Sequence, residues 1–151
     1  MNTMPTPDAF NASPRDGYLD GDFMPWTSVE EKWQGAVTKG SGFVAVPMAL
    51  LRLQTSFGLT ATDFLVLINL LAHWWEPDTG VYPRSTTIAR RMGVDKRTVQ
   101  RSTSKLVKLG LMTRNFQDDG KRVFQFGPLL SKLGRELPHA YALQKKEIFD
   151  A

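Results

Sequence analysis

Hydrophobic side chains recur at helical spacing in the middle of the chain. Thr60 followed by Asp63 can accept hydrogen bonds from the free N–H groups of a first helical turn. Behind this pair, apolar residues recur at intervals of three and four, the spacing of one helix face. The pattern predicts a helix to about Trp75, packed through the stripe Phe64, Leu67, Ile68 and Leu71.

A shorter unit precedes this helix. Residues 43–46 can form a short extended run, and Pro47 suits the first turn of a helix that continues to about Leu53. Gly58 ends this unit. The folded part of the chain is therefore expected to begin at Phe43.

Two further helices are predicted over residues 85–92 and 95–109. Ser85 and Asp95 can cap their N-termini. Gly93 can adopt the left-handed backbone conformation of a three-residue turn between them, and Gly110 ends the second helix. Ile88, Ala89, Met92 and Val99 are expected to pack at the crossing, with Val94 filling the corner.

The segment after Gly110 has the pattern of a β-hairpin. Residues 111–116 and 122–126 are strand-like and are joined by a turn that contains Asp119-Gly120. Residues 81–82 allow a very short strand. The predicted fold class is thus mainly α with a small hairpin. The tail, residues 127–151, has weak helical potential over 129–133 and 141–149, and the sequence does not place it.

The first 42 residues read as a flexible arm and linker. They hold four prolines before Gly40, many Asp and Ser residues and no sustained periodicity, so a disordered arm is expected. Trp26 and Trp33 are unusual in such a segment. They could dock on the domain or contact a partner protein, but we favour a short helix over residues 28–33 that packs locally.

Composition excludes several classes of protein. The 151 residues are 42% hydrophobic, enough for one compact domain, and no run of 18 apolar residues could span a membrane. There are no cysteines, so disulfides and thiolate metal sites are excluded, which suits a bacterial cytoplasmic protein. Because no phosphate-binding loop, nucleophile motif or metal-ligand spacing is present, we expect no enzyme activity, cofactor or metal. His73 and His139 are far apart in the sequence, and His73 is interpreted as a residue at the boundary of the core. The pair Trp74-Trp75 is interpreted as core packing at the end of a helix.

The positive charge is concentrated in one segment. Residues 81–132 hold twelve basic and three acidic side chains, a net charge of +9, whereas residues 1–40, 41–80 and 133–151 carry −3, −2 and 0. Such a patch is typical of a surface that binds a polyanion. At about 100° per residue, Thr103 and Leu106 fall within roughly 40° of Val99 on the second helix. The opposite side carries Arg97, Arg101, Ser104 and Lys108, flanked by Gln100 and Lys105.

The order of these motifs resembles the winged helix-turn-helix domains of bacterial transcriptional regulators and of plasmid or phage replication proteins. Val46-Pro47, residues 82–85, Ile88-Ala89, residues 92–94, residues 97–101 and Leu106 through Leu111 carry the resemblance, which covers residues 43–126. It implies that the hairpin is a wing whose Arg114, Lys121 and Arg122 grip phosphates or enter the minor groove. Asp118 and Asp119 at the tip weaken that expectation.

These features predict sequence-specific binding of double-stranded DNA through the helix over residues 95–109. Arg97, Gln100 and Arg101 are the expected base readers. The remaining predicted contacts are Ser85, Thr86, Lys96, Thr98, Ser104, Lys105, Lys108, Arg114, Lys121 and Arg122.

The biological role stays open between two DNA-binding classes. A transcriptional regulator is slightly favoured over a plasmid or phage replication or maintenance factor, since little sequence follows Phe126 for a second domain. A homodimer through the tail is plausible because paired half-sites raise affinity. The alternative of another class is a protein–protein adaptor, which would work through the N-terminal tryptophans and leave the charged face merely solvated. A protein partner could bind the arm or the tail.

Overall fold

The computed structural model describes residues 29–39 and 42–150. In these ranges the chain forms seven helices and one two-stranded sheet. The elements, in chain order, are α1 Val29–Lys32, α2 Ala36–Lys39, α3 Met48–Leu53, α4 Ala61–Leu71, α5 Ser85–Met92, α6 Lys96–Lys108, β1 Thr113–Phe116, β2 Arg122–Gln125 and α7 Gly127–Asp150. The predicted fold class is confirmed. Most of the arm that is predicted to be disordered, residues 1–28 and 40–41, lies outside the described residues, whereas its residues 29–39 contain α1 and α2.

Helix α4 begins where the sequence predicts and ends earlier. The Thr60 hydroxyl accepts from the Asp63 N–H, and the Asp63 carboxylate accepts from the Thr60 N–H, which is a complete capping box. The prediction that α4 reaches Trp75 is wrong, because the chain turns after Leu71. Trp74 leaves the helix axis and packs on Phe126, with ring centroids 5.3 Å apart.

The buried face of α4 is also rotated from the predicted stripe. Val66 and Leu70 are fully buried, whereas Phe64 and Ile68 are only partly buried. The long side of α4 packs against α6, so the face that its partner covers decides which residues are buried. The hydrophobic periodicity identified the helix, but the centre of its buried face lies about one residue from the predicted position.

Helix α3 starts one residue later than expected. Pro47 occupies the N-cap position in an extended conformation, and residues 42–47 have no strand pairing. Leu50 and Leu53 are fully buried. Their burial is completed by α7, which packs against α3 and which the sequence alone did not place.

Helix α7 is a single helix of 24 residues that contains Pro138. Leu129, Leu133 and Ala140 are buried on one of its faces. Polar contacts tie it to the domain at two further points: the Lys132 ammonium donates to the Leu109 carbonyl at 3.0 Å, and Arg52 pairs with Glu147 at 3.1 Å. The tail segment therefore contributes to the main hydrophobic core.

Helices α5 and α6 form the predicted helix-turn-helix. Gly93 has a φ of 67°, the left-handed conformation that the turn requires, and Asp95 caps α6. The prediction that Ser85 caps α5 is wrong. Arg84 occupies the N-cap position without a side-chain hydrogen bond, and Ser85 is a buried residue of the first turn.

The hairpin is attached to the body of the domain by a third short pairing. β1 and β2 are antiparallel, with Arg114 opposite Phe124. Val81 forms an isolated bridge with Phe124 through two backbone hydrogen bonds of 2.8 Å, as the short strand at residues 81–82 predicted. Met112 and Phe126 at the base of the hairpin are buried, so the hairpin is fixed to the core at its open end.

Two very short helices precede the domain. α1 approximates the helix predicted over residues 28–33, whereas α2 was not predicted, because residues 36–39 were assigned to the arm and linker. Gln34 and Gly35 both have positive φ in the turn between the two helices. Trp33 is 60% exposed, and Trp26 lies outside the described residues. Among the described residues, no helix is long and apolar enough to cross a membrane.

Candidate nucleic-acid interface

One face of α6 gathers polar and cationic side chains into a shallow surface depression. Its position follows from the buried side of the helix, where Val99, Thr103 and Leu106 are packed into the core. The opposite side must then face solvent. Six of the predicted site residues line this depression, namely Arg97, Gln100, Arg101, Ser104, Lys105 and Lys108.

A buried carboxylate fixes α6 against α4. Asp63 is 4% exposed, and its Oδ1 accepts from the Ser102 hydroxyl at 3.0 Å. Its Oδ2 accepts from the Lys105 ammonium at 2.5 Å and from the Thr60 N–H at 3.0 Å. The same side chain therefore caps the start of α4 and holds two successive turns of α6.

The charge of Asp63 is stabilised by these donors. Burial by itself would raise the pKa of the carboxyl, but the hydrogen bonds from Lys105, Thr60 and Ser102 outweigh it and lower the pKa from 3.8 to about 2. Asp63 is thus ionised at neutral pH. Its negative charge lies directly behind the cationic face of α6.

The functional roles of Asp63 and Ser102 were not predicted from the sequence. The capping pattern of Asp63 was recognised, but its second oxygen meets a residue 39 positions later in the chain. The only signal in the sequence was a hydroxyl on the face of α6 that borders the apolar stripe. Lys105 was predicted as a DNA contact, and no signal in the sequence indicated that it pairs with Asp63.

The first turn of α6 is held by its own cap. The Asp95 carboxylate accepts from the Thr98 N–H at 2.7 Å and from the Thr98 hydroxyl at 2.9 Å. These hydrogen bonds lower the pKa of Asp95, and the nearby Arg101 and Arg97 add to the effect. Thr98 is therefore engaged within the helix, whereas Lys96 is exposed.

The two predicted contacts on α5 differ in accessibility. Thr86 is exposed at the start of the helix, whereas Ser85 is buried. At the other end, Arg91 lies 3.2 Å from the imidazole Nε2 of His73, which connects α5 to the chain after α4. Burial lowers the pKa of His73, and the charge of Arg91 lowers it further, so the neutral ring is favoured. This is the boundary position predicted for His73.

The cationic side chains of the hairpin have three different environments. Arg114 on β1 is half-buried and reaches Ser104 of α6 at 3.5 Å, so the hairpin contacts the depression directly. Lys121 pairs with Asp119 at 3.4 Å. Arg122 is half-buried at the start of β2. The pKa of Asp119 is lowered by the Lys121 backbone N–H and further by its side chain.

The fold and this surface define a winged helix-turn-helix domain: a helix-turn-helix whose second helix exposes a polar face, followed by a hairpin that touches it. Residues 58–112 match the family model described as a helix-turn-helix domain, so the chain contains such a domain. This match confirms the resemblance seen in the sequence. No curated protein matches the chain significantly.

Solved structures of other proteins are similar to the chain to different degrees. The chain is similar to the N-terminal domain of DnaD from Geobacillus kaustophilus, with 20% identity, a TM-score of 0.54, and coverage of 80% of this chain and 99% of that one. Weaker similarities link it to a MarR-family regulator from Silicibacter pomeroyi (22% identity, TM-score 0.39, 66% and 64% covered). A MarR-family regulator from Rhodococcus sp. RHA1 is comparable (13% identity, TM-score 0.40, 83% and 86% covered).

The similarity to the DnaD domain bears on the fold. At 20% identity, the DnaD domain shows a common fold over nearly its whole length. Helix-turn-helix domains place their second helix in the major groove of DNA. Together with the family match, this supports DNA binding.

Proposed function

We propose that this protein binds double-stranded DNA in a sequence-specific manner, with α6 in the major groove. The observation that carries the proposal is the depression on α6, where cationic and amide side chains converge on one exposed face. Arg suits the O6 and N7 acceptors of guanine, and Gln suits the N6 and N7 groups of adenine. Arg97, Gln100 and Arg101 are accordingly the proposed base readers.

The remaining proposed contacts orient the protein on the phosphates. Lys108 and Lys96 on α6 and Thr86 on α5 are exposed, so they can reach the backbone. Arg114 and Arg122 of the hairpin would extend the contact beyond the major groove. The buried Ser85 can act only through its backbone or indirectly, and Thr98, Lys121 and Lys105 would need to exchange or share their intramolecular partners.

Within DNA binding, we propose a transcriptional regulator of a bacterium, plasmid or phage, acting in the cytoplasm as a homodimer. A replication or maintenance factor is the alternative role. A regulator that acts as a two-fold dimer needs an inverted repeat in its binding site. Direct repeats would favour the replication or maintenance role.

The first experiment selects bound duplexes from a random DNA pool with the full-length chain. We expect one enriched motif whose affinity falls steeply with salt. Arg97→Ala should then relax specificity at one base pair, by about 1–3 kcal/mol of discrimination. Lys108→Ala, the matched control on the same face, should weaken all sequences alike.

An absence of binding would overturn the proposal. If no duplex is retained even at low salt, the charged face is only solvated and the protein–protein adaptor takes the place of the DNA-binding function. If duplexes are retained without any enriched motif, the base-reading roles of Arg97, Gln100 and Arg101 are wrong, and only phosphate binding remains.

A further inference from the structure

A second apolar stripe runs along the solvent side of α7. The buried side of this helix is formed by Leu129, Leu133 and Ala140. At 3.6 residues per turn, the second stripe lies about 90° around the helix from the buried one. Its apolar members remain substantially exposed: Leu130 50%, Leu137 53%, Tyr141 43% and Ile148 46%.

The spacing of the stripe is that of a coiled-coil seam. With Gly134 and Gln144 included, its positions are 130, 134, 137, 141, 144 and 148, which alternate steps of four and three over 19 residues. A repeat of this kind keeps one line of side chains facing a partner helix. Residues that only contact solvent are not expected to follow this spacing.

The seam is complementary to itself when two copies run antiparallel. An alignment centred midway along it places Leu130 opposite Ile148 and Leu137 opposite Tyr141 of the second copy. Its only polar member, Gln144, then lies opposite Gly134. A Cβ at Gly134 would meet nothing within 4 Å, so the backbone there leaves room for the longer side chain.

Charges do not oppose this alignment. Residues 131, 138 and 145 directly follow seam positions 130, 137 and 144. In an antiparallel pair, each of them lies across the seam from one of the same three residues of the second copy. Lys145 then faces Ser131, and Pro138 lies near its own copy. Glu147 is turned toward its own domain, where it pairs with Arg52. No like charges are brought together along the seam.

The apolar surface also extends beyond the helix. Leu130 lines a groove together with Phe43 and Val44, which are 55% and 40% exposed. The seam itself is about 27 Å long at 1.5 Å per residue. In a symmetric antiparallel pair, this groove lies at each end of the seam and extends its apolar surface.

We propose that α7 is a homodimerisation helix whose partner is the α7 of a second copy, packed antiparallel along the seam 130–148. The contact is isologous, because the same residues serve both subunits. It rests on the surface of α7 and does not require DNA. It deepens the proposed function, because a two-fold pair of α6 helices would read an inverted repeat.

The oligomeric state is measured without DNA by sedimentation equilibrium of the full chain at micromolar concentrations. We expect twice the chain mass of 17.0 kDa. Leu137→Lys should give a monomer with an unchanged helical circular-dichroism spectrum, because Leu137 is exposed in the single chain. Ala142→Lys, which adds the same charge to an exposed position off the seam, should remain a dimer. A monomeric natural chain, or a Leu137→Lys variant that stays dimeric, would overturn the proposal.

Engineered cysteines test the direction of pairing, since the chain has none of its own. Leu130→Cys and Ile148→Cys variants are expected to cross-link only when mixed and allowed to exchange subunits. Cross-linking of either variant with itself would mean a parallel pair and would overturn the antiparallel seam. Because these readouts omit DNA, a dimer that binds no duplex would leave this inference standing while the proposed function failed.

Discussion

The Lys105 ammonium group lies 2.5 Å from a carboxylate oxygen of Asp63, across the contact between α6 and α4. Asp63 is almost fully buried, whereas the Lys105 side chain is 40% exposed. The pair therefore joins the hydrophobic core to the edge of the proposed DNA-binding face. The buried Ser102 hydroxyl donates a further hydrogen bond from α6 to the Asp63 carboxylate. Asp63 orients the proposed reading helix without itself facing DNA.

Replacing Asp63 should destabilise the fold. Asp63→Asn keeps the shape of the side chain but removes the charge that Lys105 and the Thr60 N–H bind, and hydrogen bonds to charged groups contribute about 1.5–3 kcal/mol each. Lys105 can recover part of this free energy when its ammonium group is hydrated by water instead. We expect the free energy of unfolding in urea to fall by about 2 kcal/mol. Asp78→Asn, at an exposed carboxylate in the turn after α4, is the control and should change it little.

The stability contributed by Asp63 should depend on pH. Because its pKa is lowered from 3.8 in the unfolded chain to about 2 in the fold, the contribution is complete above 3.8 and is lost as the pH falls toward and through 2. At 1.36 kcal/mol per pKa unit, it amounts to about 2 kcal/mol at neutral pH. Urea denaturation at a series of pH values should show the gap between wild type and Asp63→Asn shrinking below about pH 4. A gap that stays constant down to pH 2 would contradict the ionised state of Asp63.

The two lysines on the proposed DNA-binding face should differ in salt dependence. Lys108→Met should reduce the slope of log K against log salt by about 0.9, the value for one phosphate contact. Lys105→Met should reduce it much less, because Asp63 already neutralises Lys105. The slopes are measured on the selected duplex at several salt concentrations, with circular dichroism to verify folding. Equal changes in slope would mean that Lys105 leaves Asp63 when DNA binds.

Two glycines should respond differently to alanine. Gly93 has a φ of 67° with open space around it, so Gly93→Ala should cost about 1 kcal/mol of stability through backbone strain alone. At Gly80 a Cβ would lie 2.2 Å from a Val123 methyl group and 3.1 Å from the Phe124 carbonyl oxygen. Gly80→Ala must therefore shift the Val123 side chain and press on the backbone of β2 at Phe124.

Thermal or urea denaturation, together with DNA affinity, separates the two effects. We expect Gly80→Ala to cost more stability than Gly93→Ala, about 1–3 kcal/mol, as for overpacking elsewhere. It should also weaken DNA binding, because the hairpin carries Arg114 against α6. Unchanged stability of Gly80→Ala would show that β2 can shift freely.

The sequence by itself determined the local elements of this protein. The capping box at Thr60, the left-handed turn at Gly93, the Asp95 cap and the Asp-Gly turn depend on neighbours within a few residues, so their chemistry can be read directly from the chain. The polar face of α6 also follows from helical geometry once its apolar stripe is known. These features were sufficient to predict the fold class and to assemble the residues of the depression on α6.

Only the tertiary structure decided how these elements meet. The partners of Asp63 lie 39 and 42 residues away, and no local pattern indicates that Lys105 pairs with it. Trp74 lies beyond the end of α4 and packs on Phe126, a long-range contact that helix propensity cannot predict. The tail forms one continuous helix that packs against α3. Short amphipathic segments gain most of their helical stability from such packing. Burial on one side of α7 also determined which of its apolar residues remained exposed.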